Sequence, residues 1–112
     1  MKWFDKAFSN KNCIIYIAYC KSNSPIGQIR FDIKGNNCHV NFSIEKSSRG
    51  QGLGYEIIKK GLIKLKSENF KLDNISAEVL EKNISSIKIF KKLSFKEVKS
   101  NKPEVIKFIR NF

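Results

Sequence analysis

The sequence predicts a mixed α/β (α+β) domain, a mostly antiparallel central sheet flanked by helices, and three patterns carry that prediction. From 27 to 33, Ile29, Phe31 and Ile33 alternate with Gln28, Arg30 and Asp32, and the alternation resumes in Val40, Phe42 and Ile44 beyond Lys34-Gly35-Asn36-Asn37. That is the pattern of two half-buried strands joined by a tight turn. Ile58, Leu62 and Leu65 then recur at helical spacing, with Glu56, Lys59, Lys60 and Lys64 on the opposite side, as in a helix packed on one face. Residues 75–80 alternate again, and a strand reached through a helix is expected to lie parallel to its predecessor with a right-handed crossover.

The remaining elements follow in order. The first ten residues set Trp3 and Phe4 against Ala7 and Phe8 at helical spacing and predict a short amphipathic helix ending near Ser9-Asn10. Residues 13–19 form a continuous apolar, β-branched run, expected as a strand covered on both faces. Ser22-Asn23-Ser24-Pro25 turns the chain. The long helix is expected over 54–68. Asn83 is a good N-cap for a second helix, whose stripe is Ile84, Ile87, Phe90 and Leu93. Residues 95–98 and 105–109 supply two last strands. The expected order is helix, three strands, helix, strand, helix, two strands. No repeat or linker divides the 112 residues, which suit one domain spanning 1–112.

Composition narrows the function classes. The net charge of +12 comes from 22 Lys and Arg against 10 Asp and Glu, which invites an anionic partner. Yet arginine, the residue that reads phosphates and guanines by bidentate geometry, occurs only at Arg30, Arg49 and Arg110. With no aromatic-basic recognition stretch either, nucleic acid is not the expected partner. Cys13, Cys20 and Cys38 are odd in number and lack the Cys-x-x-Cys spacing of structural zinc sites, so they are expected as reduced thiols and no metal is expected from them with His39. No segment is apolar for long enough to cross a bilayer, and the N-terminus lacks a signal-peptide core, so the expectation is a cytoplasmic protein with no membrane partner.

The chemistry gathers in Arg49-Gly50-Gln51-Gly52-Leu53-Gly54, between the strand ending near Ile44 and the long helix. A glycine-rich turn into a helix offers backbone N–H groups and the positive end of the helix dipole to a phosphate, and glycine permits close approach. The spacing is neither the dinucleotide-binding fingerprint nor the Walker loop, which needs Gly-Lys-Ser/Thr.

These residues resemble the GNAT (GCN5-related) N-acetyltransferases, whose signature at this junction is Gln/Arg-x-x-Gly-x-Gly/Ala. Arg49, Gly52 and Gly54 match it position for position. The stretch from Asn83 to Phe95 looks like the family's later motif, Asn-x-x-Ser/Ala-x-x-x-Tyr-x-x-x-Gly-Phe. The resemblance covers essentially the whole chain after the first ten residues and implies a GNAT-like sheet, N-terminally reduced. It also implies acetyl-coenzyme A as acyl donor: pyrophosphate on Arg49, Gly50, Gln51, Gly52, Leu53 and Gly54, and pantetheine in a splay between the strands ending at Ile44 and Leu80. The main chain of Phe42, Ser43 and Ile44 would bond the pantetheine, with Asn83 and Phe90 on the other wall.

Two departures fall where the chemistry would be. The family's tyrosine, usually assigned to protonate the departing thiolate, is Phe90 here, so water or the Ser86 hydroxyl would have to serve. Ser94 replaces the glycine before Phe95. For the general base, His39, Glu45 and Glu78 are candidates, and the phase of its strand favours Glu78.

The implied acceptor is a small-molecule primary amine. Lys2-Trp3-Phe4, the strand around 14–18 and Pro25 to Asp32 resemble a narrower branch linked with bacterial surface-sugar pathways, in which nucleotide-linked amino sugars for pseudaminic and legionaminic acids are acetylated. Such proteins begin with a further strand and helix that wall the acceptor pocket, and the chain is expected to start at the end of that helix, leaving an apolar edge that would favour a homodimer. The alternatives are a non-catalytic acyl-coenzyme A-binding module and a basic nucleic-acid-binding domain.

Overall fold

A computed structural model of the chain describes residues 3–112. Met1 and Lys2, where the predicted N-terminal helix opens, lie outside the described residues. Strands β1 (Trp3–Asn10), β2 (Cys13–Tyr19), β3 (Pro25–Lys34) and β4 (Asn37–Ile44) come first. A 3₁₀ turn (Lys46–Ser48), α1 (Leu53–Ser67), β5 (Asn74–Leu80), α2 (Ile84–Lys92), β6 (Lys96–Val98) and β7 (Val105–Asn111) follow. One seven-stranded sheet has the order β1-β2-β3-β4-β5-β7-β6. Every neighbouring pair is antiparallel except β4–β5, which is parallel as the intervening helix predicts.

The N-terminal helix is corrected to a strand. Asn10 accepts from the backbone N–H groups of Asn12 and Cys13, both at 2.8 Å, an Asx turn that folds β1 back on β2. A spacing of four fits the period of a strand as well as that of a helix. A register shift between Lys6 and Phe8 then separates the two aromatics. Phe4 stacks on Tyr16 with centroids 5.2 Å apart, whereas Phe8 is left 48% exposed.

Strand β2 also departs from expectation, being buried on one face only. Ile14, Tyr16 and Ala18 are buried while Cys13, Ile15, Ile17 and Tyr19 are half-buried. Both helices pack on the same face of the sheet. Gly61 of α1 lies against Ile29 and Phe31, and Phe90 of α2 meets Phe42 and Phe108. The core between them is Ile57, Ile58, Leu62 and Leu65 of α1 on the inner residues of β2 to β5. Each buried aliphatic contributes about 1.5–3 kcal/mol relative to exposure.

The end of α2 explains why a glycine is usual before Phe95. Ser94 N–H donates to Lys91 O at 3.1 Å and Phe95 N–H to Phe90 O at 3.0 Å, a Schellman closure whose apolar contact is the Phe90–Phe95 ring pair. That geometry holds Ser94 at φ +68°, where a Cβ is strained. Ser94→Gly is therefore expected to raise stability by about 1 kcal/mol, read as a thermal midpoint higher by roughly 4 °C or more.

Tyr16 is buried among the core strands, and its hydroxyl donates to Glu68 Oε1 at 3.2 Å. Lys6 Nζ meets the same oxygen at 2.7 Å. Burial, followed by the Glu68 charge, holds the phenol protonated well above its usual range. The unfolded chain releases that proton from about pH 10, whereas the folded chain keeps it, so stability falls as pH rises above 10. Urea midpoints measured from pH 8 to 11 should show that fall, and Tyr16→Phe should flatten it.

Candidate functional site

The site begins with a failure of pairing. Strands β4 and β5 are in register only at Asn37↔Asn74, Cys38↔Ile75 and His39↔Ser76. Beyond these, β4 stays bonded to β3 as far as Ile44 and β5 to β7 as far as Leu80. From residue 40 onward, therefore, alternate backbone N–H and C=O groups of β4 face a gap instead of a strand. The gap widens into a cleft of about 840 Å³, walled by β4 and β5 and closed at its ends by the turn before α1 and the start of α2.

The turn before α1 uses its glycines for two different reasons. Gly50 (φ +81°) and Gly52 (φ +73°) take the left-handed conformation, and a Cβ built on either meets nothing within 4 Å. They supply backbone shape and open space. Gly54 has an ordinary φ, but its Cβ would stand 2.9 Å from Ile89 Cδ1 and 3.1 Å from Phe42 Cε2. It sets how closely α1 approaches α2 and the cleft wall. Arg49 donates from Nε to Ile44 O at 3.2 Å, which ties the turn to the end of β4. Its two terminal nitrogens have no partner among the described residues.

The structure brings nearly all the sequence-predicted residues together. Phe42, Ser43 and Ile44 line the β4 wall, Glu78 the β5 wall, and Asn83, Ser86 and Phe90 the α2 wall. Arg49, Gly50, Gly52, Leu53 and Gly54 line the turn, while Gln51 is exposed and is not part of the lining. Asn83 caps α2 by accepting from Ser86 N–H at 3.2 Å. Phe90 is 2% exposed, packed against Phe42, Phe95 and Phe108 as the cleft's floor.

The three candidate bases separate clearly. His39 sits at the closed end of the splay, its Nδ1 3.5 Å from Ser76 Oγ. Glu45 caps the 3₁₀ turn, accepting from the Ser47 hydroxyl and from Ser47 N–H, and those bonds hold its carboxyl below the usual range. Glu78 alone of the three lines the cleft, with its Oε1 3.1 Å from Lys102 Nζ. That pair is partly exposed and worth no more than about 1 kcal/mol, so the carboxylate can exchange partners cheaply. Sequence reasoning missed Ser85, Lys88 and Ile89 on α2, Ser48 before the turn, and Val40, Asn41 and Val79 on the two strands. Ser85 and Lys88 are three apart on the helix that Asn83 caps, a spacing that already put them on one face.

An oxygen-rich anion at this turn would meet backbone N–H groups, the N-terminal end of α1 and Arg49. An extended amide-bearing chain in the splay would meet the unpaired edge of β4. The acetyltransferase (GNAT) domain model matches residues 1–96, and the chain belongs to that family. Among solved structures, a domain from Methanocaldococcus jannaschii is 25% identical, with 93% of this chain covering 70% of that one at a TM-score of 0.77. The GNAT domain of S. lividans PAT is 18% identical over 90% of this chain and 61% of its own, at a TM-score of 0.76. Spermidine N-acetyltransferase from Vibrio cholerae, solved with CoA and spermine, is 14% identical over 90% of this chain and 66% of its own, at a TM-score of 0.77. No curated protein matches the chain.

The two glycine roles are separable by mutation. Gly52→Ala should cost about 1 kcal/mol, the strain of a Cβ at positive φ. Gly54→Val should cost more, about 1–3 kcal/mol, because it overpacks against Phe42 and Ile89. Chemical denaturation of the two variants beside the parent checks the order.

Proposed function

We propose that the chain transfers an acetyl group from acetyl-coenzyme A to a small-molecule primary amine, acting as one acetyltransferase domain. The observation that carries this reading is the cleft itself, a splay lined by unpaired strand edge that runs into a turn with two left-handed glycines and an arginine. The donor supplies an activated thioester. The chain's residues do the rest. Backbone groups of Phe42, Ser43 and Ile44 bond the pantetheine arm in place of the missing strand, the turn and Arg49 hold the pyrophosphate, and Asn83 orients the arm from α2.

The acceptor must be neutral at nitrogen to attack, and Glu78, the carboxylate on the cleft wall, takes its proton directly or through water. With Phe90 offering no proton, the departing thiolate takes one from water or from Ser86, and a thiol of pKa about 8.5 is a tolerable leaving group. The +12 charge repels a polycationic acceptor and attracts a phosphorylated one. Together with the N-terminal resemblance, it favours a nucleotide-linked amino sugar over a polyamine. A non-catalytic acyl-coenzyme A-binding module is the second reading, favoured by one observation: Phe90 is sealed in the aromatic core and puts no acid in the cleft.

Release of free thiol from acetyl-coenzyme A, measured over a panel of nucleotide-linked amino sugars, polyamines and peptides, is expected with the amino sugars. Binding without release across the panel would favour the module. Gly52→Glu, which sets a carboxylate where pyrophosphate should lie, should abolish coenzyme binding while the circular dichroism stays native, and Arg49→Ala should weaken it by about fivefold to tenfold. Normal binding by the Gly52 variant would overturn the reading.

A further inference from the structure

Among the described residues, Glu78 is the one carboxylate in the lining of the cleft. It lies on the face of β5 opposite Ala77 and Val79, which are buried in the core. Two lysines attend it from the side of β7. Lys102 Nζ stands 3.1 Å from its Oε1. Lys107 is its directly paired residue on β7, so both side chains leave the sheet on the same face. Lys107 has no carboxylate partner among the described residues, whose ion pairs are Lys6–Glu68, Arg30–Asp32 and Lys102–Glu78.

The backbone around Lys102 is held in place. Its N–H donates to Ser100 Oγ at 3.1 Å, and the N–H of Glu81, just past the end of β5, donates to Glu104 O at 2.9 Å. The segment between β6 and β7 is thereby tied to the strand that carries Glu78. The ion pair itself is easily exchanged, because its side chains are 65% and 33% exposed. An acceptor nitrogen that reaches Glu78 must displace Lys102 Nζ or sit beside it. A simple cation there meets two ammonium groups of like charge. An amine that also carries an anionic oxygen meets the reverse arrangement: its nitrogen takes Glu78, its oxygen takes Lys102, and one ion pair is exchanged for two.

We infer that Lys102, supported by Lys107, determines acceptor specificity by selecting a primary amine with an anionic group close to the nitrogen. The inference rests on the acetyl-transfer reading above and gives its acceptor a chemical class. Lys102 and the acceptor nitrogen share one carboxylate, so an oxygen that reaches Lys102 cannot lie far from that nitrogen. The anion is a phosphate or carboxylate on the amine-bearing carbon or its neighbour. A sugar with its amine beside a phosphorylated carbon meets this requirement, and so does an amino acid.

The test is calorimetric titration of the whole chain, saturated with coenzyme A, using two matched pairs of acceptors: glucosamine 1-phosphate against methyl glucosaminide, and alanine against alaninamide. In at least one pair the anionic member is expected to bind about tenfold more tightly, and the pair that shows the gain names the anion. Lys102→Ala should bring that ratio toward one through lost affinity for the anionic member, and Lys102→Glu should reverse it. Lys34→Ala removes the same charge as Lys102→Ala from the turn between β3 and β4 and should keep the ratio. A ratio of one in both pairs would overturn the inference and leave the transferase reading standing, as would no binding of any of the four to the coenzyme-loaded chain. A ratio lowered equally by Lys34→Ala and Lys102→Ala would also overturn it, by showing a net-charge effect. Failure of coenzyme A itself to bind would overturn the transferase reading and this inference together.

Discussion

The structure turns on the divergence of two parallel strands. Pairing between β4 and β5 lasts for three residues, enough to make one sheet, and then stops while each strand remains bonded to its other neighbour. An unpaired strand edge buried from water would cost about 1–3 kcal/mol for each unmet group. Because the cleft is open, water meets those groups, and a ligand with amides of its own can replace the water at little cost. The fold thereby keeps a strip of backbone chemistry accessible that an ordinary sheet would consume.

The divergence is held by packing. Phe42 leans from β4 toward the floor, its ring 6.1 Å from that of Phe90, which is stacked in turn on Phe108 of β7. Gly54 lets the first turn of α1 come down on Phe42 and Ile89 together. A wedge of aromatic rings and one helix start therefore fills the space beneath the splay, where the parallel ladder would otherwise continue. The same wedge fixes the turn whose left-handed glycines face the cleft. Shape of the binding end and solidity of the core are one problem with one solution.

Much of this was legible in the sequence because it is written in local patterns. Alternation gave β3, β4 and β5, periodicity gave α1 and α2 to within a residue or two, and the strand-helix-strand order gave the parallel pair. The glycine turn was legible because few residues tolerate its φ values. Ser94 was visible as a departure, although only the hydrogen bonds of Lys91 and Phe90 show that the backbone there demands a positive φ. The N-terminus was misread because Phe4 and Phe8 satisfy both a strand and a helix, and the Asn10 side chain that decides between them acts through a turn no periodicity records. The single buried face of β2 was hidden too, since an apolar run does not say what covers it.

Residues of the binding end and those of the chemical step were unequally legible for a physical reason. The turn and the β4 edge work through backbone, so their requirement is conformational and survives as glycines and a strand break that sequence displays directly. Proton transfer works through side chains whose value depends on neighbours far along the chain. Glu78 is distinguished from Glu45 and His39 only by what each touches: Lys102 of the segment between β6 and β7, Ser47 in the next turn, and Ser76 at the closed end of the splay. Phe90 shows the converse. It lines the cleft and is packed against Phe42, Phe95 and Phe108, so the position supplies a well-packed floor and the side chain supplies no proton.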